Sequence, residues 1–205
     1  MTAFSRGGFP VLRFYLALWA GKLCAALFRL AGHVLDDRPG LLANKIDPHF
    51  LSHISKPELV IAVTGTNGKT TTTQLIRDIL LRSGKKLGFN CGDANAAAAY
   101  ALNLIYSVDV FNRCFTDAAI MEADEATLCE TMSMIRPNYI VVTNISLDSL
   151  RRSGHAEHGL ACIHAAFAAL GDTTTVLLNA NDPISSQAAE DTHVQRLFYG
   201  MADLG

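Results

Sequence analysis

The stretch Val63-Thr64-Gly65-Thr66-Asn67-Gly68-Lys69-Thr70-Thr71-Thr72-Thr73 decides how this chain is to be read. Before it, Leu59–Thr64 is an apolar run with strand character. After it, Leu75, Ile76, Ile79 and Leu80 recur at helical spacing from Lys69 onward. A glycine turn between a buried strand and a helix is the setting of a phosphate-binding loop. Glycines let the backbone turn tightly and leave N–H groups pointing inward. The helix start adds partial positive charge. Lys69 adds a full charge for the outer phosphates, and the Thr70 hydroxyl can reach a magnesium ion. The spacing is not that of Walker A, because Val63 stands where that loop has its first glycine. The plainer alternative is a glycine turn whose threonines only cap a helix. The expected phosphate-binding set is Gly65, Thr66, Asn67, Gly68, Lys69, Thr70 and Thr71.

Outward from the loop, apolar runs alternate with helix-periodic segments. Strands are expected at Leu59–Thr64, Lys86–Asn90, Ala118–Glu122, Tyr139–Thr143, Thr175–Asn179 and Arg196–Tyr199. Helices are expected at Lys69–Ser83, Ala94–Ser107, Ala126–Met134, Glu157–Leu170 and Pro183–Glu190. The alternation predicts an α/β fold, a doubly wound, mostly parallel sheet with helices on both faces. The Ala-rich run Ala94–Ala101 reads as a close-packed helix.

The chain has 205 residues, 50% of them hydrophobic, enough for one well-buried domain and a small appendage. Residues 1–55 read as an N-terminal helical segment and 56–205 as the nucleotide-binding domain. The formal net charge of −2 offers none of the basic excess of a nucleic-acid binder. The five cysteines form no Cys-x-x-Cys pair and read as scattered thiols of a reducing compartment. Val11–Gly32 is strongly apolar, but Arg13, Lys22 and Arg29 interrupt it. It reads as a helix docked on protein, with a membrane-surface helix as the alternative. Asp36–Gly40 reads as a loop.

Carboxylates at the C-terminal ends of parallel strands point into the crevice where ligands bind. Glu122 closes such a strand and is the expected magnesium ligand opposite Thr70. Asp124 and Glu125 suit a helix cap better. Asn179-Ala-Asn-Asp182-Pro183 has the composition of a turn before a Pro-initiated helix.

Gly65-Thr-Asn-Gly-Lys-Thr-Thr71 resembles the ATP loop of the Mur ligase superfamily. These ligases use ATP to convert a carboxylate to an acyl phosphate, which an amine attacks. The resemblance implies Lys69 on phosphate, and Thr70 and Glu122 on Mg2+. It implies Asn179 and Asp182 at adenine, and Asn95 and Asp148 on the substrate side. Thr143-Asn-Ile145 with Asp148 is similar to the superfamily's T-N-I-x-x-D-H-L-D. Ser149 and Arg151 replace its His and second Asp, and no lysine follows Lys86 to serve as the carbamylated lysine of the amino-acid ligases. His155 and His158 read as surface residues near a helix start.

The N-terminal segment, with Trp19–Leu23, Phe28–His33 and Arg38–Leu51, resembles the MurT branch. That branch pairs with a GatD glutaminase subunit and amidates D-glutamate of lipid II with ATP and glutamine-derived ammonia. The resemblance implies a cytoplasmic protein at the inner face of the membrane, with GatD-like and lipid II partners. It also implies a truncated or split member, with the family's zinc ribbon, its structural zinc and its catalytic aspartate lying outside this chain. The alternatives are a folylpolyglutamate synthase-like ligase and a nucleotide-binding remnant.

Overall fold

The computed structural model describes residues 8–32, 37–88, 97–145 and 156–201. In chain order the elements are α1 (Gly8–Leu30), α2 (Arg38–Ile46), α3 (Phe50–His53), β1 (Leu59–Thr64), α4 (Lys69–Arg82) and α5 (Ala97–Ser107). There follow β2 (Ala118–Glu122), α6 (Glu125–Ile135), β3 (Tyr139–Val142) and α7 (Ala156–Leu170). β4 (Thr175–Asn179), α8 (Pro183–Gln187) and β5 (Gln195–Tyr199) complete them.

The strands form one sheet in the order β2-β1-β3-β4-β5, every pair parallel. The α/β fold expected from the alternation is therefore present. The run expected as a strand at Lys86–Asn90 contributes a single parallel bridge, Leu87 to Ala118. Its last two residues lie outside the described ones.

Register assigns the two sheet faces. Ala62, Ile140 and Val176 are aligned across β1, β3 and β4 and are fully buried. Leu128, Met132, Ile163 and Phe167 of α6 and α7 join them in one core. On the opposite face, α4 packs over β1 and β2. Burying both faces explains why the central strands are apolar without alternation.

The N-terminal segment packs as α1 on α2 and α5 through Phe14, Ala17, Leu18, Gly21 and Ala25. One expectation is corrected here. Arg38-Pro39-Gly40 is not loop but the first turn of α2. Pro39 suits that position because its missing N–H would have no helical partner there. Gly40 is required by packing: a Cβ would overlap the Ala98 carbonyl of α5. Ala98, Ala99 and Ala101 of α5 are buried, as expected of a helix with close neighbours.

Candidate functional site

The strand order places a switch point between β1 and β3. The chain leaves β1 for one edge, β2, and later builds β3 on the other side. In open parallel sheets the ligand crevice lies at the C-terminal ends of the strands flanking such a point. Gly65–Gly68 follows β1 there, and Thr143–Ile145 follows β3.

Gly65 and Gly68 both have positive φ, +126° and +81°, which side chains other than glycine rarely adopt. A Cβ on Gly65 would also overlap Thr143 Oγ1. The loop is held down by the residues after β3. The Thr66 amide donates to the Asn144 carbonyl at 2.8 Å. The Asn67 amide donates to Asn144 Oδ1 at 3.0 Å, and Asn144 Nδ2 donates back to the Asn67 carbonyl at 3.0 Å. Thr143 Oγ1 lies 2.7 Å from that carbonyl and 3.2 Å from the Thr64 carbonyl. In this conformation the Thr66 and Asn67 amides serve the loop itself. The first intrahelical bond of α4 runs from Thr72 to the Gly68 carbonyl at 2.9 Å. The amides of Lys69, Thr70 and Thr71 therefore have no carbonyl of their own helix to reach, which is the donor array an anion meets at a helix start.

Lys69 folds back over the loop. Its Nζ donates to the Gly65 carbonyl at 2.6 Å and lies 3.5 Å from Asp124 Oδ1. Thr70 Oγ1 donates to Glu122 Oε1 at 3.0 Å. Glu122 is only 8% exposed, and Tyr100 fixes its backbone by donating to its carbonyl at 2.9 Å. A buried carboxylate beside a hydroxyl makes a pair of hard oxygen donors, as magnesium prefers.

Asn179 and Asp182 reach the same crevice from β4, and their polar atoms have structural partners. Asn179 Nδ2 donates to the Thr143 carbonyl at 2.8 Å, and its Oδ1 accepts from the Asn181 amide at 3.0 Å. Asp182 caps α8 by accepting from Ser185 N. It also accepts from Ile145 N at 2.7 Å. Tyr199 of β5 donates to the Val142 carbonyl at 2.7 Å. Burial, and then the charge of Asp182, push its phenol pKa upward. Asn95 and Asp148, with His155, lie outside the described residues, and nothing is described of the His158 side chain.

Thr143 and Asn144 enter the sequence reading only as part of the Thr143-Asn-Ile145 motif, with no role given to either; here they hold down the loop. The Thr-Asn pair at the end of an apolar run was the available signal. Its role became visible only when β3 was found beside β1. Among the described residues no group of three or more His, Cys, Asp or Glu side chains is placed to hold a metal. The described cysteines, Cys24, Cys114, Cys129 and Cys162, are free.

The Mur ligase middle domain model matches residues 63–204, so this chain belongs to the Mur ligase family. The subunit MurT of the glutamine-hydrolysing lipid II isoglutaminyl synthase of Staphylococcus aureus (strain COL) is 30% identical over 193 residues, 93% of this chain and 42% of that protein. UDP-N-acetylmuramoylalanine–D-glutamate ligase of Pelotomaculum thermopropionicum is 33% identical over 142 residues, 68% of this chain and 29% of that protein. The MurF ligase of Thermotoga maritima, solved in complex with ADP, superposes with a TM-score of 0.59 at 16% identity, covering 79% of this chain and 36% of that one. This chain thus spans less than half the length of these relatives.

Proposed function

We propose that this chain is the ATP-binding part of a MurT-type subunit. With ATP and Mg2+, that subunit activates the D-glutamate carboxylate of lipid II for amidation, using ammonia from a GatD-like glutaminase. The observation that carries the reading is the extent of the MurT similarity. It covers 93% of the chain, and therefore takes in most of the N-terminal helical segment as well as the sheet.

In the proposed reaction a carboxylate oxygen attacks the γ-phosphorus of ATP, giving an acyl phosphate and ADP. Ammonia then adds to the acyl carbon, phosphate leaves, and the nitrogen gives up a proton. This chain's share is to hold and orient the nucleotide. The helix-start amides of Lys69–Thr71 face the phosphates, and Lys69 exchanges the Gly65 carbonyl for a phosphate oxygen. Thr70 and Glu122 would hold the magnesium ion, which neutralises phosphate charge when bound. Asn179 and Asp182 are proposed at the adenine side. Their bonds to the Thr143–Ile145 segment support a supporting role there, because they tie the β4 end of the crevice to the clamp on the loop.

The test mixes this chain with lipid II, ATP, Mg2+, glutamine, a GatD subunit and the remainder of a MurT-length chain in trans. Conversion of a carboxylate to a carboxamide, read by mass spectrometry, is expected. No conversion, in conditions where a complete MurT–GatD pair converts the same lipid, overturns the amidation reading.

A further inference from the structure

Helix α1 has two apolar faces. At about 100° per residue, Leu12, Leu16, Trp19, Leu23, Leu27 and Leu30 fall within about 80° of one another. All six are exposed, Trp19 at 48% and Leu23 at 64%. The face packed on the protein, centred on Gly21, lies opposite. A soluble helix ordinarily keeps a polar outer face, and this one does not.

The patch continues onto a neighbouring turn. Trp19 Nε1 donates to the Val110 carbonyl at 2.9 Å. Lys22 Nζ donates to the carbonyls of Ile105 and Val108 at 2.8 and 2.5 Å. These bonds lock the turn after α5 beside α1. The turn presents Val110, Phe111 and Phe115 to solvent, with the Arg113 guanidinium 5.6 Å from the centre of the Phe111 ring. Its acid, Asp109, accepts from the Phe111 and Arg113 amides.

Charge decides between occupants. Residues 8–30 contain no Asp or Glu. Arg13 borders the exposed stripe on one side, and Lys22 and Arg29 border it on the other. The 4-3-4 spacing of Leu12, Leu16, Trp19 and Leu23 would also suit a coiled coil. However, the flanking Arg13, Lys22 and Arg29 would find no acid on the same helix of a second copy to pair with, since residues 8–30 contain none. Cations bordering a Leu and Trp face are the arrangement of a helix lying in an anionic lipid interface. Crossing the bilayer would require pulling Phe14, Ala17 and Leu18 out of the core.

We infer that α1, with the Val110–Phe115 turn, docks in the plane of an anionic bilayer surface. Trp19 and the leucines enter the headgroup–acyl boundary, and Arg13, Arg29 and Arg113 meet lipid phosphates. This inference stands apart from the nucleotide reading.

Trp19 is the chain's one tryptophan, so its emission reports the surface directly. The 205-residue chain is mixed, without nucleotide, with phosphatidylglycerol–phosphatidylcholine vesicles or with pure phosphatidylcholine vesicles. A blue shift and quenching by brominated acyl chains are expected on the anionic vesicles, weakened by salt. Arg29→Ala should weaken partitioning about fivefold. Leu16→Glu with Leu23→Glu should weaken it more than about tenfold. Both leucines face solvent, so circular dichroism of the double variant should match the parent. If that variant misfolds, Arg29→Ala and the parent's own quenching still decide. Absence of Trp19 quenching on anionic vesicles overturns the inference. So does a reversible dimer that shields Trp19 without lipid and is lost in the double variant, which would assign the face to a second copy.

Discussion

Thr70 Oγ1 donates to Glu122 Oε1 at 3.0 Å, joining the first turn of the helix after β1 to the end of β2. Sequence places these residues 52 positions apart. The parallel pairing of Val63 with Glu122 brings them together. If this pair holds magnesium, Glu122→Gln keeps the shape and removes the charge. Magnesium-dependent ATP binding should then fall by at least the roughly tenfold that even an outer-shell change costs a metal site. Calorimetric titration with and without Mg2+ checks it. Equal magnesium dependence in both proteins would remove Glu122 from the metal site.

Lys69 poses a different question, because its ammonium already lies between the Gly65 carbonyl and Asp124. Asp124 is part-exposed, so the ion pair is worth no more than about 1 kcal/mol. It nevertheless competes with an incoming phosphate for the same cation and adds repulsion of its own. Asp124→Asn should therefore tighten ATP binding about two- to fivefold, whereas Lys69→Ala should weaken it strongly. Fluorescent-nucleotide titrations separate the two. Weaker binding by Asp124→Asn would mean that the carboxylate assists the nucleotide.

Much of the architecture was legible because buried parallel strands are written as continuous apolar runs. Leu59–Thr64, Ala118–Glu122 and Thr175–Asn179 carry the same bounds in sequence and structure. The turn between β1 and α4 was legible because Gly65 and Gly68 interrupt an apolar run and are followed by helical spacing. What could not be read depends on neighbours distant in sequence. Arg38-Pro39-Gly40 carries turn residues, yet Gly40 is there because α2 crosses α5 closely. The Asn144 clamp needs β3 beside β1. Which face of α1 points outward could not be read, because Arg13, Lys22 and Arg29 separate two faces that are both apolar.

Asn144→Ala removes both side-chain bonds to Asn67. That loop residue is exposed and water can replace the lost partners, so the cost should sit near the low end, about 1 kcal/mol. That corresponds to a fall in Tm of about 2–4 °C for a domain of this size. Hydrogen exchange should quicken at the Thr66 and Asn67 amides before the sheet amides. Unchanged exchange there would show that the backbone carbonyl of Asn144 and the Thr143 hydroxyl hold the loop unaided.

Gly65→Ala should be more damaging. The +126° φ costs about 1–3 kcal/mol for a residue with a Cβ, before its overlap with Thr143 Oγ1 is relieved. Thr143→Ser, which keeps the hydroxyl and drops a methyl, should be nearly neutral by itself. Thermal melts of both variants check the contrast. A Gly65→Ala protein as stable as the parent would mean the loop adopts a different path.

Tyr199 gives a pH dependence whose sign follows from its environment. Burial, then the Asp182 charge, raise its phenol above the ordinary value of 10.0. The folded protein therefore holds this proton to higher pH than the unfolded chain does. The stabilising contribution is complete below the unfolded pKa and is lost as pH rises from there through the folded value. Tyr199→Phe should lower stability at neutral pH by about 1 kcal/mol, since the bond to the Val142 carbonyl goes. It should also flatten the alkaline decline. Urea midpoints measured across the alkaline range test this. Parallel curves for the two proteins would show that Tyr199 ionises alike in both states, and that Asp182 does not act on it.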